Sequence, residues 1–189
     1  MPFYRIDGVT PVVHPSAYVH PTAVIIGDVH VGPDCYVGPC ASLRGDFGRI
    51  VMEQGANLQD TCVVHAFPGR DAIIQRNGHI GHGAEEDAMV GMNAVVMDEA
   101  VIAARSIVGA AAFVKSGFSC EPASLIVGSP AKVLRQLSDK EVSWKHHGTQ
   151  EYQRLTRRCL ENMSECSPLI EEDADRPRLQ IGEHDLKDR

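Results

Sequence analysis

The 189-residue sequence is poor in aromatic side chains, carries no excess of positive charge and lacks long apolar runs. Phe, Trp and Tyr make up 5% of the residues, which is little for the core of a sandwich or a helix bundle. The 18 Lys and Arg are outnumbered by 25 Asp and Glu, and the net charge of -7 disfavours nucleic-acid binding. No stretch approaches the roughly 18 apolar residues of a membrane helix, and the first residues lack the long apolar run typical of a secretion signal. We therefore expect a cytoplasmic protein that binds neither nucleic acid nor a membrane.

The six cysteines show no pattern of disulfide formation or metal ligation. None stands in a CxxC pair, and they are scattered through apolar stretches, as small buried residues are. They are Cys35, Cys40, Cys62, Cys120, Cys159 and Cys166. We interpret them as reduced thiols without a shared task.

Aliphatic residues recur with a period of six along most of the chain. The positions are Val13, Val19, Val31, Val37, Leu43, Leu58, Val64, Val90, Val96, Ile102, Val108 and Val114. Most are followed four residues later by Ala, Cys or Ser. The period fits neither an α-helix nor a two-sided strand, but it fits short strands joined by tight corners, three to a coil, with coils about 4.8 Å apart. The pattern predicts an all-β solenoid, specifically a triangular parallel β-helix; another all-β fold with chance spacing is the alternative.

The period lapses in two places. A loop with Pro68 leaves the coil over residues 66–73. Farther on, Ile80 and Val90 are ten residues apart, which is no multiple of six, and Glu86 falls where an aliphatic side chain should point inward.

The six-residue period ends near the C-terminal end of the sequence, and helical signals follow. Ser138 and Glu141 stand at the spacing of a capping box, which predicts a helix to about His147, and Gly148 separates it from a second helix. The predicted regions are a β-helix over 1–130, C-terminal helices over 131–166 that pack on the coils or on a neighbouring subunit, and a polar tail over 167–189.

His65 and His82 are the histidines whose spacing indicates chemistry. They are 17 residues apart, close to one 18-residue coil, so both can lie on adjacent turns near one edge. Imidazole pairs are typical ligands of zinc and other divalent metals, although a purely structural role is the alternative. Gln59 occupies the equivalent corner six residues before His65 and could orient a metal-bound water.

Arg44 and Asp46 place opposite charges two residues apart at a coil edge. An exposed pair of this kind would contribute about 0 to 1 kcal/mol. At a boundary between subunits the same pair could set the register of assembly, and we favour that role.

Several strings resemble the gamma-class carbonic anhydrase-like proteins of the hexapeptide-repeat type. They are Leu43-Arg44-Gly45-Asp46, Asn57-Leu58-Gln59-Asp60, Gly81-His82-Gly83 and Val90-Gly91-Met92, and the resemblance spans about residues 8 to 165. The family implies a left-handed β-helix that assembles as a homotrimer. The stretch at 126–131 and the residues near Trp144 and Tyr152 are similar to the subfamily that contains the PaaY and CaiE proteins.

The resemblance also implies roles for individual residues. His65 and His82, each from a different chain, would ligate Zn²⁺ or another divalent metal across a subunit interface. Arg44 and Asp46 would form an ion pair between subunits. The candidate catalytic residues are Gln59, which would position water or substrate, and Asn57 in the same string.

The sequence departs from the family pattern after Ala84. About seven residues that include the third histidine ligand are absent there, either through a genuine deletion or because a segment is omitted. The ten-residue interval marks the same place from the periodicity alone. Asp87, five residues after His82, could serve as a substitute oxygen ligand. Phe47 and Pro68 stand where acidic residues would relay protons, which disfavours rapid hydration of carbon dioxide.

The resemblance favours a metal-dependent hydrolase, specifically an acyl-CoA thioesterase of the phenylacetate-degradation type that uses metal-bound water. A carnitine-operon-type accessory or scaffold protein without catalysis of its own is one alternative. A weak carbonic anhydrase is another, and an acyltransferase is less favoured because the Arg-Gly-Asp and Asn-Leu-Gln-Asp strings point elsewhere.

Overall fold

The structure, a computed structural model, describes residues 3–66, 68–69, 71–79, 86–97 and 99–167. It is a β-solenoid of about six turns followed by one helix. The elements are β1 Phe3–Tyr4, β2 Val12–Val13, β3 Tyr18–Val19, β4 Val24–Val31, β5 Tyr36–Val37, β6 Ser42–Met52, β7 Asn57–Leu58, β8 Val63–His65, β9 Ala72–Ile74, β10 Met89–Val90, β11 Val95–Val96, β12 Ile107–Val108, β13 Phe113–Val114, β14 Ser124–Gly128, β15 Ala131–Gln136 and α1 Asp139–Asn162.

The strands of successive coils pair in parallel, except for the antiparallel pair β14 and β15 that closes the described stack. Tyr18 pairs with Tyr36, and Met89 pairs with Ile107, so these coils repeat after 18 residues. Three six-residue repeats, each a short strand with its corner, account for this spacing, as the period of the sequence predicts.

The predicted inward positions form the core. Ten of the twelve aliphatic residues are buried, and the other two, Val13 and Val96, are partly buried and pack against the buried clusters. The six-residue period therefore identifies the core correctly, and the prediction of a β-solenoid is confirmed.

At the lapse in the period, the described residues pair at an unusual spacing. His79 pairs in parallel with Met89, only ten residues later, whereas the preceding pair, Asn57 with His79, is 22 residues apart. Glu86 is exposed in a turn instead of pointing into the core. Among the described residues, one buried cluster ends at Ile74 and the next begins at Ala88.

Many corners of the solenoid hold a residue other than glycine in the left-handed region. Glu99, Arg105, Ala111 and Ala123 have φ values between 56° and 61°, at six-residue intervals interrupted by Gly117 at 70°. Hydrogen bonds between stacked corners, such as Ala111 N–H to the Met92 carbonyl at 2.9 Å, help to hold this backbone conformation.

The C-terminal part contains one helix where the sequence predicts two. The capping box is present, since Ser138 and Glu141 each accept a hydrogen bond from the other's backbone N–H, but α1 continues through Gly148 to Asn162. A glycine inside a helix costs about 1 kcal/mol relative to alanine. Packing of the helix on the coils outweighs that cost. Residues 131–136 are also strand and not helix. No helix in the described part of the chain is long and apolar enough to cross a membrane.

Replacing Ser138 with alanine is expected to lower the free energy of unfolding by about 1 kcal/mol, because the Glu141 N–H loses its side-chain acceptor. Urea unfolding followed by circular dichroism measures the change. Ser143→Ala, in the interior of the same helix, is the matched control and should change stability by no more than about 0.5 kcal/mol. Equal losses in the two variants would contradict a capping role for Ser138.

Candidate functional site

Arg44, Asp46 and His65 meet at one edge of the solenoid. Arg44 on β6 and His65 on β8 are directly paired across neighbouring strands, and Asp46 lies between their side chains. The His65 Nε2 is 3.0 Å from Asp46 Oδ1, and Arg44 Nη2 donates to Asp46 Oδ2 at 3.2 Å. The sequence-predicted pair of Arg44 and Asp46 is thus formed within one chain, with the imidazole attached to it.

The charge of Asp46 is stabilised by its neighbours. Burial alone would raise the pKa of this carboxyl, but hydrogen bonds from Arg44 and from its own backbone N–H, together with the Arg44 and His65 charges, bring the pKa below its ordinary value. Asp46 is therefore an anion that holds the His65 ring at a fixed orientation.

Phe47 supplies an apolar wall beside this cluster. Its ring centroid is 5.3 Å from that of His65, and 62% of the residue is exposed. An exposed phenylalanine next to an imidazole provides a surface for an apolar group of a ligand or for another protein subunit.

Gln59 is fixed by the C-terminal helix. Its Nε2 donates to the Tyr152 hydroxyl at 2.6 Å, across 93 residues of sequence. Burial raises the pKa of Tyr152, and the Asp60 and Cys62 charges raise it further, so the phenol stays protonated. In the sequence, Tyr152 stands near a stretch that is similar to the subfamily, but no spacing connects it with Gln59.

Asn57 is the most unusual polar residue of the site. It is 1% exposed, and neither its amide nitrogen nor its amide oxygen has a hydrogen-bond partner among the described residues. On the solenoid it stacks between Tyr36 and His79. Orphaned buried amides are rare and costly, so Asn57 has hydrogen-bonding capacity that the described chain does not use.

The other two predicted metal ligands are His82 and Asp87. His82 lies outside the described residues, and Asp87 is not at His65. Asp87 contacts helix α1, with its Oδ1 3.3 Å from Lys145 Nζ and 3.7 Å from His146 Nδ1. Burial lowers the pKa of Lys145 to about 8, although the Asp87 charge opposes this. Asp87 therefore neutralises a buried lysine, and this is its observed role.

The described residues of one subunit provide only part of a binding site for a divalent metal. Within the described ranges, no three His, Cys, Asp or Glu side chains are grouped in a way that could hold a metal ion. Catalytic zinc sites use three protein ligands. His65 and Asp46 offer two suitable donor atoms, so further ligands would have to come from residues outside the described ranges or from another subunit.

Six-residue repeats stacked in 18-residue coils define the class of hexapeptide-repeat β-solenoid proteins, and residues 10–45 match the family described as bacterial transferase hexapeptide (six repeats). Over 99% of its length the chain is 52% identical to the carnitine operon protein CaiE of Salmonella agona, of which it covers 98%. It is equally identical to the CaiE protein of a Proteus species, with 95% of each chain covered. The chain therefore belongs to the CaiE family.

A solved structure has the same fold. The crystal structure of a hexapeptide transferase family protein from Anaplasma phagocytophilum matches 82% of this chain and 96% of its own, with a TM-score of 0.77 and 32% identity.

The relatives carry residues that this chain lacks. The alignment with the Salmonella agona protein runs over 194 positions, although this chain has only 189 residues. At least five positions of the relative therefore have no counterpart here. This difference agrees with the absence of about seven residues that the family pattern predicts.

Proposed function

We propose that the chain is a metal-dependent hydrolase that cleaves an acyl-coenzyme A thioester at the boundary between subunits of a homotrimer. The observation that carries this proposal is the convergence of the His65 imidazole and the Asp46 carboxylate, 3.0 Å apart, on an edge lined by Phe47. In the net reaction water adds to the thioester carbonyl, the C–S bond breaks, and a carboxylic acid and a thiol are released.

Each residue of the proposed site would have a separate role. His65 and Asp46 would hold Zn²⁺ or another divalent metal together with His82 of another subunit. A bound divalent metal would lower the pKa of a water towards about 7 and polarise a carbonyl. Arg44 keeps Asp46 ionised and in place, as described above. Tyr152 fixes the amide group of Gln59, whose oxygen is then oriented to accept a hydrogen bond from water.

Thiol release from a panel of acyl-coenzyme A thioesters, followed with a thiol reagent, tests the proposal. Release that disappears after treatment with a chelator and returns with one metal supports it. A fully metal-loaded trimer that releases no thiol from any member of an aliphatic and aromatic panel would rule out the thioesterase.

Replacing His65 with alanine is expected to remove bound metal and to reduce thioester hydrolysis more than tenfold, because the cluster loses its nitrogen donor. Metal analysis and the thiol assay measure the two effects. His30→Ala is the matched control, since His30 lies on β4 and faces Asp28 in a similar imidazole–carboxylate pair at 3.4 Å. Loss of metal in both variants to the same extent would contradict a specific role for His65.

An accessory protein without catalysis of its own is the second candidate. The observation that favours it is the parallel pairing of His79 with Met89, only ten residues later, because the sequence between them lacks the segment that carries the third family histidine. Metal content separates the two candidates. About three ions per trimer would support the hydrolase, and none would support the accessory role.

A further inference from the structure

A polar groove of about 360 Å³ lies between helix α1 and one stack of coil corners. The corners are at Asp34, Gly55 and Asn77, each with a positive φ. Gln153 on the helix donates from Nε2 to Asn77 Oδ1 at 2.9 Å. A Cβ atom on Gly55 would lie 2.6 Å from the same Nε2, so a side chain at this corner would displace the end of the Gln153 side chain.

The inner wall of the groove contains a buried hydroxyl without a partner. Thr149 is 1% exposed and lines the groove, and its Oγ1 has no hydrogen-bond partner among the described residues. Thr156, two turns later on the same face, is equally buried but donates to the Tyr152 carbonyl at 3.0 Å. Leaving a buried hydroxyl unpaired costs free energy. Thr149 therefore has hydrogen-bonding capacity that the described chain does not use.

The outer wall carries two guanidinium groups. Arg157 Nε donates to the Gln153 carbonyl at 3.4 Å, and for its Nη atoms and for the Arg76 guanidinium the described residues provide no acceptor. The acidic residue that lines the groove is Asp34, and its Oδ2 accepts a hydrogen bond from Gln54 at 3.2 Å. The arginines exceed the carboxylates of the lining by one charge, so an anion is favoured over a cation.

We propose that this groove binds a phosphate group, either free or carried by a small metabolite. Guanidinium groups present planar forks of donors that match phosphate oxygens, and the Thr149 hydroxyl provides a further donor. The volume suits a ligand of small-molecule size. The groove is formed by residues other than those of the His65 cluster, so this proposal goes beyond the proposed hydrolase and does not depend on it.

Isothermal titration of the full chain with inorganic phosphate and with ADP, at constant ionic strength, tests the proposal. Both Arg157→Gln and Arg76→Gln should reduce the association constant at least tenfold, and Thr149→Val should reduce it less. Arg154→Gln is the matched control, because Arg154 lies on the same helix, is paired with Glu151 and does not line the groove. It should bind as the unchanged protein does.

The outcomes are distinct. Tighter binding of ADP than of phosphate would identify a nucleotide as the carrier, and equal binding would identify free phosphate. Absence of heat with both ligands, or the same loss of affinity in Arg154→Gln as in Arg157→Gln, would overturn the proposal. Circular dichroism shows whether each variant is folded, and if one arginine variant fails to fold, the other and Thr149→Val decide the question.

Discussion

Replacing Gly27 with alanine is expected to lower the free energy of unfolding by about 2 to 5 kcal/mol. Gly27 has a φ of 72°, and an added Cβ would overlap the Gly45 carbonyl oxygen and lie 2.9 Å from Ile6 Cγ2. The left-handed conformation costs a non-glycine residue about 1 kcal/mol or more, and forcing apart a packed backbone adds about 1 to 3 kcal/mol. Chemical denaturation at constant temperature measures the sum.

Gly117→Ala is the matched control for Gly27→Ala. Its φ of 70° is nearly the same, but a Cβ there would have no atom within 4 Å. It should therefore show only the conformational cost of about 1 kcal/mol. The difference between the two variants isolates the close approach of neighbouring coils at Gly27. Equal losses would show that this approach contributes nothing to stability.

The protein is expected to lose about 3 kcal/mol of stability through His79 alone as the pH falls from 6.5 to 4. Burial and, to a smaller extent, the Lys145 charge lower the pKa of His79 to about 4. Its ring packs edge-on against Tyr152 at 5.3 Å. In the unfolded chain a histidine takes up its proton near pH 6.5, whereas the folded chain resists protonation until about pH 4. The unfolded state therefore binds more protons in this window, and stability falls with falling pH.

His79→Phe should remove this part of the acid sensitivity, because phenylalanine keeps an aromatic ring but has no proton to bind. Free energies of unfolding measured at pH 7, 6, 5 and 4 for both proteins give the difference curve. His79→Gln is also uncharged. Its free energy of unfolding should depend on pH as weakly as that of His79→Phe, at a lower absolute stability. A constant difference between pH 7 and pH 4 would contradict the assignment to His79.

The core could be predicted from the sequence because every coil presents the same environment to its inward residue. Leu43, Leu58 and Val64 stand at equivalent positions, so burial repeats with the period of the chain. The left-handed corners could not be predicted in this way, since Ala111 and Ala123 carry no local signal for a positive φ. The same holds for the helix through Gly148, whose continuity depends on packing against distant coils.

Individual residues of the cluster could be chosen from the sequence, but their arrangement could not. Arg44 and Asp46 stand out as an ion pair and His65 for its spacing to His82, whereas the contact of His65 with Asp46 follows only from the structure. The contact of Gln59 with Tyr152 joins a coil corner to a helix, and no periodicity relates those two elements. The burial of Lys145 could not be predicted either, because a lysine on a helix ordinarily faces solvent.

The two buried clusters among the described residues have a mechanical consequence. In a solenoid each coil is held mainly by its immediate neighbours, so stability adds up along the axis. The cluster that ends at Ile74 and the one that begins at Ala88 each gain stability mainly from contacts within themselves. We therefore expect heat or a pulling force to unfold each of them as a unit.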